Sequence, residues 1–236
     1  MTNNLKKLIS FASLMALSLQ LHAINYYISP TGNDNNAGTR EDAPLASLTT
    51  VQKKVKAGDK VYILPGTYQV KENEMMDKTS SKVWDIIFDF ATSGTADSPI
   101  IYKGVQDAQG NRPVFDLSAI NTGKRLTGFY IRAKYLEFSN FEVIGINVPK
   151  SSSNTQSENI RINGGSYCRF YNIAAHDGMG IGFYLTGRSA HNIISHCDAY
   201  NNFDSVNISV NNGGNSDGFG CHVSANCEGN VFEYCR

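Results

Sequence analysis

Four stretches in the second half of the chain align residue for residue. YLEFSNFEV (135–143) matches YCRFYNIAA (167–175), and below them fall HNIISHCDA (191–199) and GNVFEYCR (229–236). One column reads Phe138, Phe170, Ile194, Phe232, and another reads Phe141, Ile173, Cys197, Cys235. Each stretch follows a second short strand, FYI (129–131), IRI (160–162), GFYL (182–185) and GCHV (220–223). The aligned starts lie 32, 24 and 38 residues apart. Irregular periods of this size, built from strand pairs rather than helices, describe stacked parallel coils with loops of unequal length. A propeller would need regular four-stranded blades, and a sandwich would not bring same-phase columns into line. The expected fold is therefore all-β, a parallel β-helix. Like residues stack at the inter-strand spacing of about 4.8 Å with the apolar columns inward. Asn140 and Asn172 share a column and form a short asparagine ladder in this reading.

The same columns give the cysteines a place. Cys197 and Cys235 fall inward and read as packing residues rather than a disulfide. Cys221 and Cys227 are spaced for a small loop bridge, and with Cys168 the total of five is odd. No cysteine or histidine group has zinc spacing.

The first half supplies a start for the coil. Lys6 and Lys7 precede an apolar run too short to span a bilayer, with a small residue at Ala23. That order predicts a signal peptide over residues 1–23 and export to the periplasm, cell surface or medium. Its removal leaves 19 basic against 21 acidic residues in 24–236. No basic stripe points to nucleic acid, and no second apolar run points to a membrane span. After the strand at 25–29, Leu48, Val51 and Val55 recur at helical spacing and Gly58 stops them, predicting a cap over about 44–58. Some plug is required, because a stacked sheet otherwise exposes an apolar end and unpaired strand edges. VWDIIF (83–88), SPIIY (98–102) and RPVF (112–115) then read as short strands.

The run from YYISPTG to ILPGTY (26–68) resembles the opening segment of secreted right-handed parallel β-helix proteins of the pectate-lyase type. A second string carries the chemistry. NNGGNSDGFG (211–220) holds one carboxylate, Asp217, directly before a strand. By itself this is as good a turn as a site, since Asp and Gly are expected in turns for backbone reasons. Followed by GNVFEYCR, however, GGNSDGFG resembles polysaccharide lyase family 9, the pectate and rhamnogalacturonan lyases, in their N-terminal coils. The resemblance implies that Asp217 is one calcium ligand. It places the other carboxylates, in an Asp-Asp-Gly-x-Asp string, and the lysine base after Arg236, so that C-terminal coils are expected to be missing from this chain. It also implies an acidic plant-type polysaccharide, pectin or rhamnogalacturonan, as partner, and a monomer at full length.

The chemistry explains why carboxylates would be gathered. β-Elimination of a uronate removes the proton at C5, which is weakly acidic beside a charged C6 carboxylate. Calcium held by protein carboxylates neutralises that group and stabilises the enolate-like intermediate. One aspartate alone cannot supply the six to eight oxygens that calcium takes.

Arg188, in LTGRS, is expected to meet a uronate carboxylate on grounds of groove geometry. Asp177 and His176 belong to a turn one rung earlier, and Asp198 and Asp204 read as solvated turn acids. His191 and His196 are expected on opposite faces of one strand. No Gly-x-Ser-x-Gly, P-loop or His-Glu-x-x-His string is present. Two other functions stay open: a β-helix that holds glycan without cleaving it, and a β-helix hydrolase, against which the absence of pectin-hydrolase signatures counts.

Overall fold

A computed structural model describes residues 23–78, 83–151 and 155–236. The signal peptide expected over 1–23 lies outside the described residues, Ala23 apart. The strands are β1 (Asn25–Ile28), β2 (Lys60–Ile63), β3 (Thr67–Gln69), β4 (Trp84–Phe90), β5 (Ile100–Gly104), β6 (Val114–Asp116), β7 (Arg125–Ile131), β8 (Leu136–Ser139) and β9 (Glu142–Ile144). They continue as β10 (Glu158–Asn163), β11 (Arg169–Tyr171), β12 (Ala174–His176), β13 (Ile181–Gly187), β14 (Ile193–Ser195), β15 (Asp198–Tyr200), β16 (Phe219–Val223) and β17 (Val231–Glu233). All their pairings within the sheets are parallel.

Three sheets result. Sheet 1 runs β1-β2-β5-β8-β11-β14-β17, sheet 2 runs β4-β7-β10-β13-β16, and sheet 3 runs β3-β6-β9-β12-β15. From β4 onward the chain visits sheets 2, 1 and 3 in turn, so each coil has three strands. The aligned stretches are thus not single strands, as the sequence reading took them, but two strands with a bend between. The bend sits at Asn140, Asn172, His196 and Tyr234, where φ is +61°, +52°, +53° and +52°. Left-handed backbone there turns the chain from sheet 1 into sheet 3, and of the residues found at these bends asparagine tolerates it best. Asn172 Nδ2 donates to Asn140 Oδ1 at 2.9 Å, which is the expected ladder.

Inward columns fill the coil. Tyr102, Phe138, Phe170, Ile194 and Phe232 are in register, and Phe138 stacks on Phe170 at 5.0 Å. Phe88, Phe115, Phe129 and Phe141 close the space between the sheets edge to face and stacked, at 5.2 to 5.8 Å. A second, inward asparagine pair was not foreseen. Asn192 donates to Gly165 O and to Asn230 Oδ1, both at 3.0 Å, and accepts from Cys168 N at 3.0 Å. It satisfies backbone groups that would otherwise be orphaned at the corner between sheets 2 and 1.

The cap helix α1 (Leu48–Gln52) is shorter than the predicted 44–58. Its N-cap Ser47 accepts from Thr50 N at 3.1 Å and donates to Asp34 at 2.7 Å, while Leu48 and Val51 are buried over the first coil. The five cysteines are all free thiols, so the bridge considered between Cys221 and Cys227 is not formed. Burial pushes the Cys168 thiol up to about 11 and the Cys197 thiol up to about 12, as inert packing residues require. Among the described residues no helix is long and apolar enough to cross a membrane.

Candidate functional site

The string around Asp217 is fastened to the rung below it. Asn215 Nδ2 donates to Thr155 O at 2.9 Å and Ser216 Oγ to Met179 O at 2.9 Å. Gly182 N donates to Asp217 O, and Phe183 N to Gly218 O, both at 2.9 Å. This approach needs glycine at 182, because a Cβ there would stand 2.6 Å from Gly218 O. The turn function of the string thus belongs to Asn215 and Ser216. The Asp217 side chain is exposed, and among the described residues its carboxylate accepts no hydrogen bond.

Asp217 leads into β16, the last strand of sheet 2, so the outer face of that sheet is its surrounding. One row across the face reads Asp89, Tyr130, Arg161, Tyr184 and Gly220. Arg161 lies over the Tyr184 ring at 5.6 Å, a cation–π contact. Its NH1 donates to Glu158 at 3.0 Å, and Glu158, itself buried, also accepts from Thr127, Gln156 and Arg125 at 2.9, 2.8 and 3.1 Å. Its partners thus saturate the buried Glu158 carboxylate with hydrogen bonds. Tyr184 OH meets His222 Nδ1 at 3.1 Å. The face is polar, aromatic and built from adjacent strands, which suits an extended sugar chain.

Asp217 stands two rungs above Glu158 in one column, roughly 10 Å away at ~4.8 Å per rung. Glu158 is committed to its arginines, so the two carboxylates do not share an ion. Among the described residues no three His, Cys, Asp or Glu side chains gather as a metal site. Asp217 fits calcium in kind, as an accessible hard oxygen donor, but one donor does not make a site.

Arg188 is exposed on the turn after β13. Gly187 pairs with Val223, so Arg188 is level with Ser224, seven residues or roughly 23 Å along the strand direction from Asp217 at about 3.3 Å per residue. The two predicted site residues therefore stand at opposite ends of the sheet 2 strands and are not brought together.

The remaining candidates lie elsewhere. His176 is not a loop residue but part of β12 on sheet 3, buried, with Nδ1 at 2.8 Å from Asp177 and Nε2 at 3.2 Å from Glu142, stacked on Tyr200 at 4.4 Å. Hydrogen bonds from Asn201 and then His176 hold the Asp177 carboxyl below the usual carboxylate range. Asp204 is not solvated: it is buried and accepts from the Val206 and Asn207 amides at 3.1 Å each, stapling its loop. Asp198 pairs with Arg236 at 3.0 Å. His191 and His196 are both exposed corner residues at the two ends of β14, with φ of +57° and +53°, rather than residues on opposite faces of a strand. Sequence reading missed Glu158, Arg161 and Tyr184. Tyr184 and Arg161 stand at matching places in GFYL and IRI, a signal visible once the second strand of each coil is aligned as carefully as the first.

The model of the Pel9A-like, right-handed β-helix region matches residues 26–236. The chain belongs to that family. The coil is accordingly right-handed and of the polysaccharide lyase family 9 type. Pectate lyase PEL9 of Emericella nidulans is 28% identical over 240 residues, covering 96% of this chain and 49% of the relative. Of solved structures, a rhamnogalacturonan lyase superposes with a TM-score of 0.83 at 43% identity, over 91% of this chain and 51% of the other. Pectate lyase Pel9A superposes at 0.66 with 26% identity, over 90% and 47%. The chain therefore spans about half the length of the relatives it matches.

Proposed function

We propose that this chain forms part of a secreted polysaccharide lyase that cleaves pectin or rhamnogalacturonan by calcium-assisted β-elimination. The outer face of sheet 2 is its cleft and Asp217 one of the calcium ligands. The observation that carries the reading is the state of Asp217. Asn215 and Ser216 fix the turn, leaving an exposed carboxylate at the edge of a polar, aromatic face. The relatives named as pectate and rhamnogalacturonan lyases give the reaction class.

Bound there, calcium would draw charge from the uronate C6 carboxylate and make the C5 proton easier to remove. The chain's own contribution is to present one ligand and to bind and orient sugar along sheet 2. Arg188, at the far end of the sheet 2 strands, meets a uronate carboxylate displaced across the cleft from Asp217. The further ligands and the base that the reaction requires are not assigned to residues of this chain. Arg161 and Tyr184 lie between the two ends, where a stacked ring and a guanidinium hold a sugar in register.

The test is the ultraviolet absorbance of unsaturated product from polygalacturonate and from rhamnogalacturonan, measured on the gene product containing this chain. Activity is expected to vanish with a chelator and return with calcium. Asp217→Ala is expected to lower it about 100-fold or more, in line with the loss of a transition-state electrostatic contact, without lowering the melting temperature. Chelator-resistant cleavage would end the calcium assignment. Glycan binding with no product would favour the binding-protein reading, and product without a double bond would favour a hydrolase.

A further inference from the structure

The coil carries a second polar and aromatic surface, on the outer face of sheet 1. Two shallow hollows lie end to end there, with volumes of about 430 and 260 Å³, and both are bordered by Glu137. The first is walled by Lys60, Tyr62, Lys103 and Tyr171, and the second by Tyr135, Tyr167, Arg169 and His191. Together they follow the coil axis from β2 to β14, through β5, β8 and β11. Four rungs at ~4.8 Å make a trough roughly 19 Å long.

Three properties set this face apart. Charge is the first: Lys60, Lys103 and Arg169 face one carboxylate, Glu137, in a chain whose formal net charge is zero. The Arg169–Glu137 pair is loose, at 4.0 Å with both side chains well exposed, so water screens it and the guanidinium stays available. The second is aromatic surface. Tyr171 is 52% exposed and Tyr167 44%. Tyr135, Tyr167 and His191 stack at 5.0 and 4.8 Å into one wall. The third is order: every one of these side chains springs from a strand or a corner fixed by the coil, so little entropy is lost when a ligand is met.

We propose that this trough is a second glycan-binding surface, separate from the sheet 2 cleft, and that it takes an extended carboxylate-bearing oligosaccharide. Spaced cations answer spaced carboxylates, and the length excludes a compact anion as the natural occupant. Tyrosines with exposed rings and hydroxyls suit the mixed apolar and hydroxylated surface of a pyranose. Three cations relieved by a carboxylate are too sparse for a nucleic acid backbone, which places a charge every few ångströms. Such a surface would hold polymer on one side of the coil while the other side works on it, raising the local concentration of substrate.

The experiment is calorimetric titration of the chain with a short galacturonic acid oligomer, a neutral glucose oligomer and a single-stranded oligonucleotide. Binding of the uronate oligomer alone is expected, falling as salt is raised. Lys60→Glu combined with Lys103→Glu is expected to weaken it about tenfold or more, and Tyr171→Ala about threefold. Chelator is present throughout, which silences any calcium-dependent uptake at the sheet 2 cleft, so a failure of the lyase reading does not touch this one. All these side chains are exposed, and equal melting temperatures would show that the variants fold. Unaltered affinity in the charge-reversed variant, comparable binding of the neutral oligomer or the oligonucleotide, or no uronate binding at all would each overturn the proposal.

Discussion

Two columns of rings run along the coil with the same spacing and unlike surroundings. Inside, Tyr102, Phe138 and Phe170 stack at 5.1 and 5.0 Å with interplanar angles of 10° and 11°. Outside, at the corner between sheets 2 and 1, Tyr135, Tyr167 and His191 stack at 5.0 and 4.8 Å with angles of 9° and 16°. The spacing belongs to neither set of rings: it is the rise of the coil, close to the ~4.8 Å between paired strands. What differs is the backbone and the water. The inner rings sit on extended strands and are buried. The outer residues hold φ at +57°, where a large side chain is strained. Identical geometry therefore carries a large stabilisation in one place and almost none in the other.

The widest separation between the columns should come from deleting a ring inside. Phe138 touches its neighbours above and below and Phe90 and Phe141 across the core, at 5.0 to 6.5 Å. Phe138→Ala is expected to cost about 3–5 kcal/mol, the range for emptying a buried aromatic site. Urea unfolding monitored by circular dichroism measures it, and a loss under ~1 kcal/mol would mean the coil interior is loosely packed.

Next in size is the corner between sheets 1 and 3. Asn172 donates to Asn140, accepts from Arg112 NH1 at 3.2 Å and occupies left-handed backbone. Asn172→Ala removes both bonds and keeps the backbone strain, for an expected loss of about 1–3 kcal/mol. Asn172→Gly should recover part of it, because glycine accepts φ of +52° without penalty. Equal losses from the two variants would show that the side-chain bonds, and not the backbone, matter at this corner.

These corners also mark where the sequence stopped being readable. Burial leaves a trace in composition, so Phe138, Phe170 and Ile194 aligned by eye, with Phe232 continuing their column, and pointed to the stacked coil. The bends did not, because the left-handed positions hold Asn, Tyr, His, Asp and Gly in no constant pattern, and nine aligned residues passed for one strand. Asn192 went unread for a different reason: a buried asparagine pair in a strand corner has no visible role until its partners, the Gly165 carbonyl and the Cys168 amide, are known. Asp217 was singled out through its motif. Glu158 and Arg161 were not, since a charged pair on a strand's outer face looks like ordinary surface until burial of the glutamate is seen.

A smaller effect is expected at the capped start of the coil, where pH rather than deletion is the probe. Burial alone would raise the Asp34 carboxyl, but hydrogen bonds from Ser47, Thr50 and Ala46 outweigh it and hold the group below its ordinary value. A carboxylate with a depressed folded-state value contributes stability above its unfolded value, and that contribution is lost as pH falls through the folded one. Asp34→Asn should therefore lower stability by a constant amount above about pH 5, with the gap from the natural chain closing below about pH 4. A gap that widens on acidification would show that Asp34 is not held charged by its donors.

The smallest expected change tests the outer column itself. Tyr167 stacks between Tyr135 and His191 but is 44% exposed, so its ring contributes two contacts of about 0.5–1.5 kcal/mol each at most. Against that stands the left-handed backbone, which costs a non-glycine residue about 1–2 kcal/mol. Tyr167→Ala loses the stacking and keeps the strain, and is expected to destabilise by about 1 kcal/mol. Tyr167→Gly loses the stacking and relieves the strain, and should lie within ~0.5 kcal/mol of the natural chain. That outcome would mean that the tyrosine is not retained for stability, and that the wall it helps to build on sheet 1 has another use. If Tyr167→Gly instead cost as much as a core deletion, the inner and outer columns would be energetic equals, and the distinction drawn between them would fail.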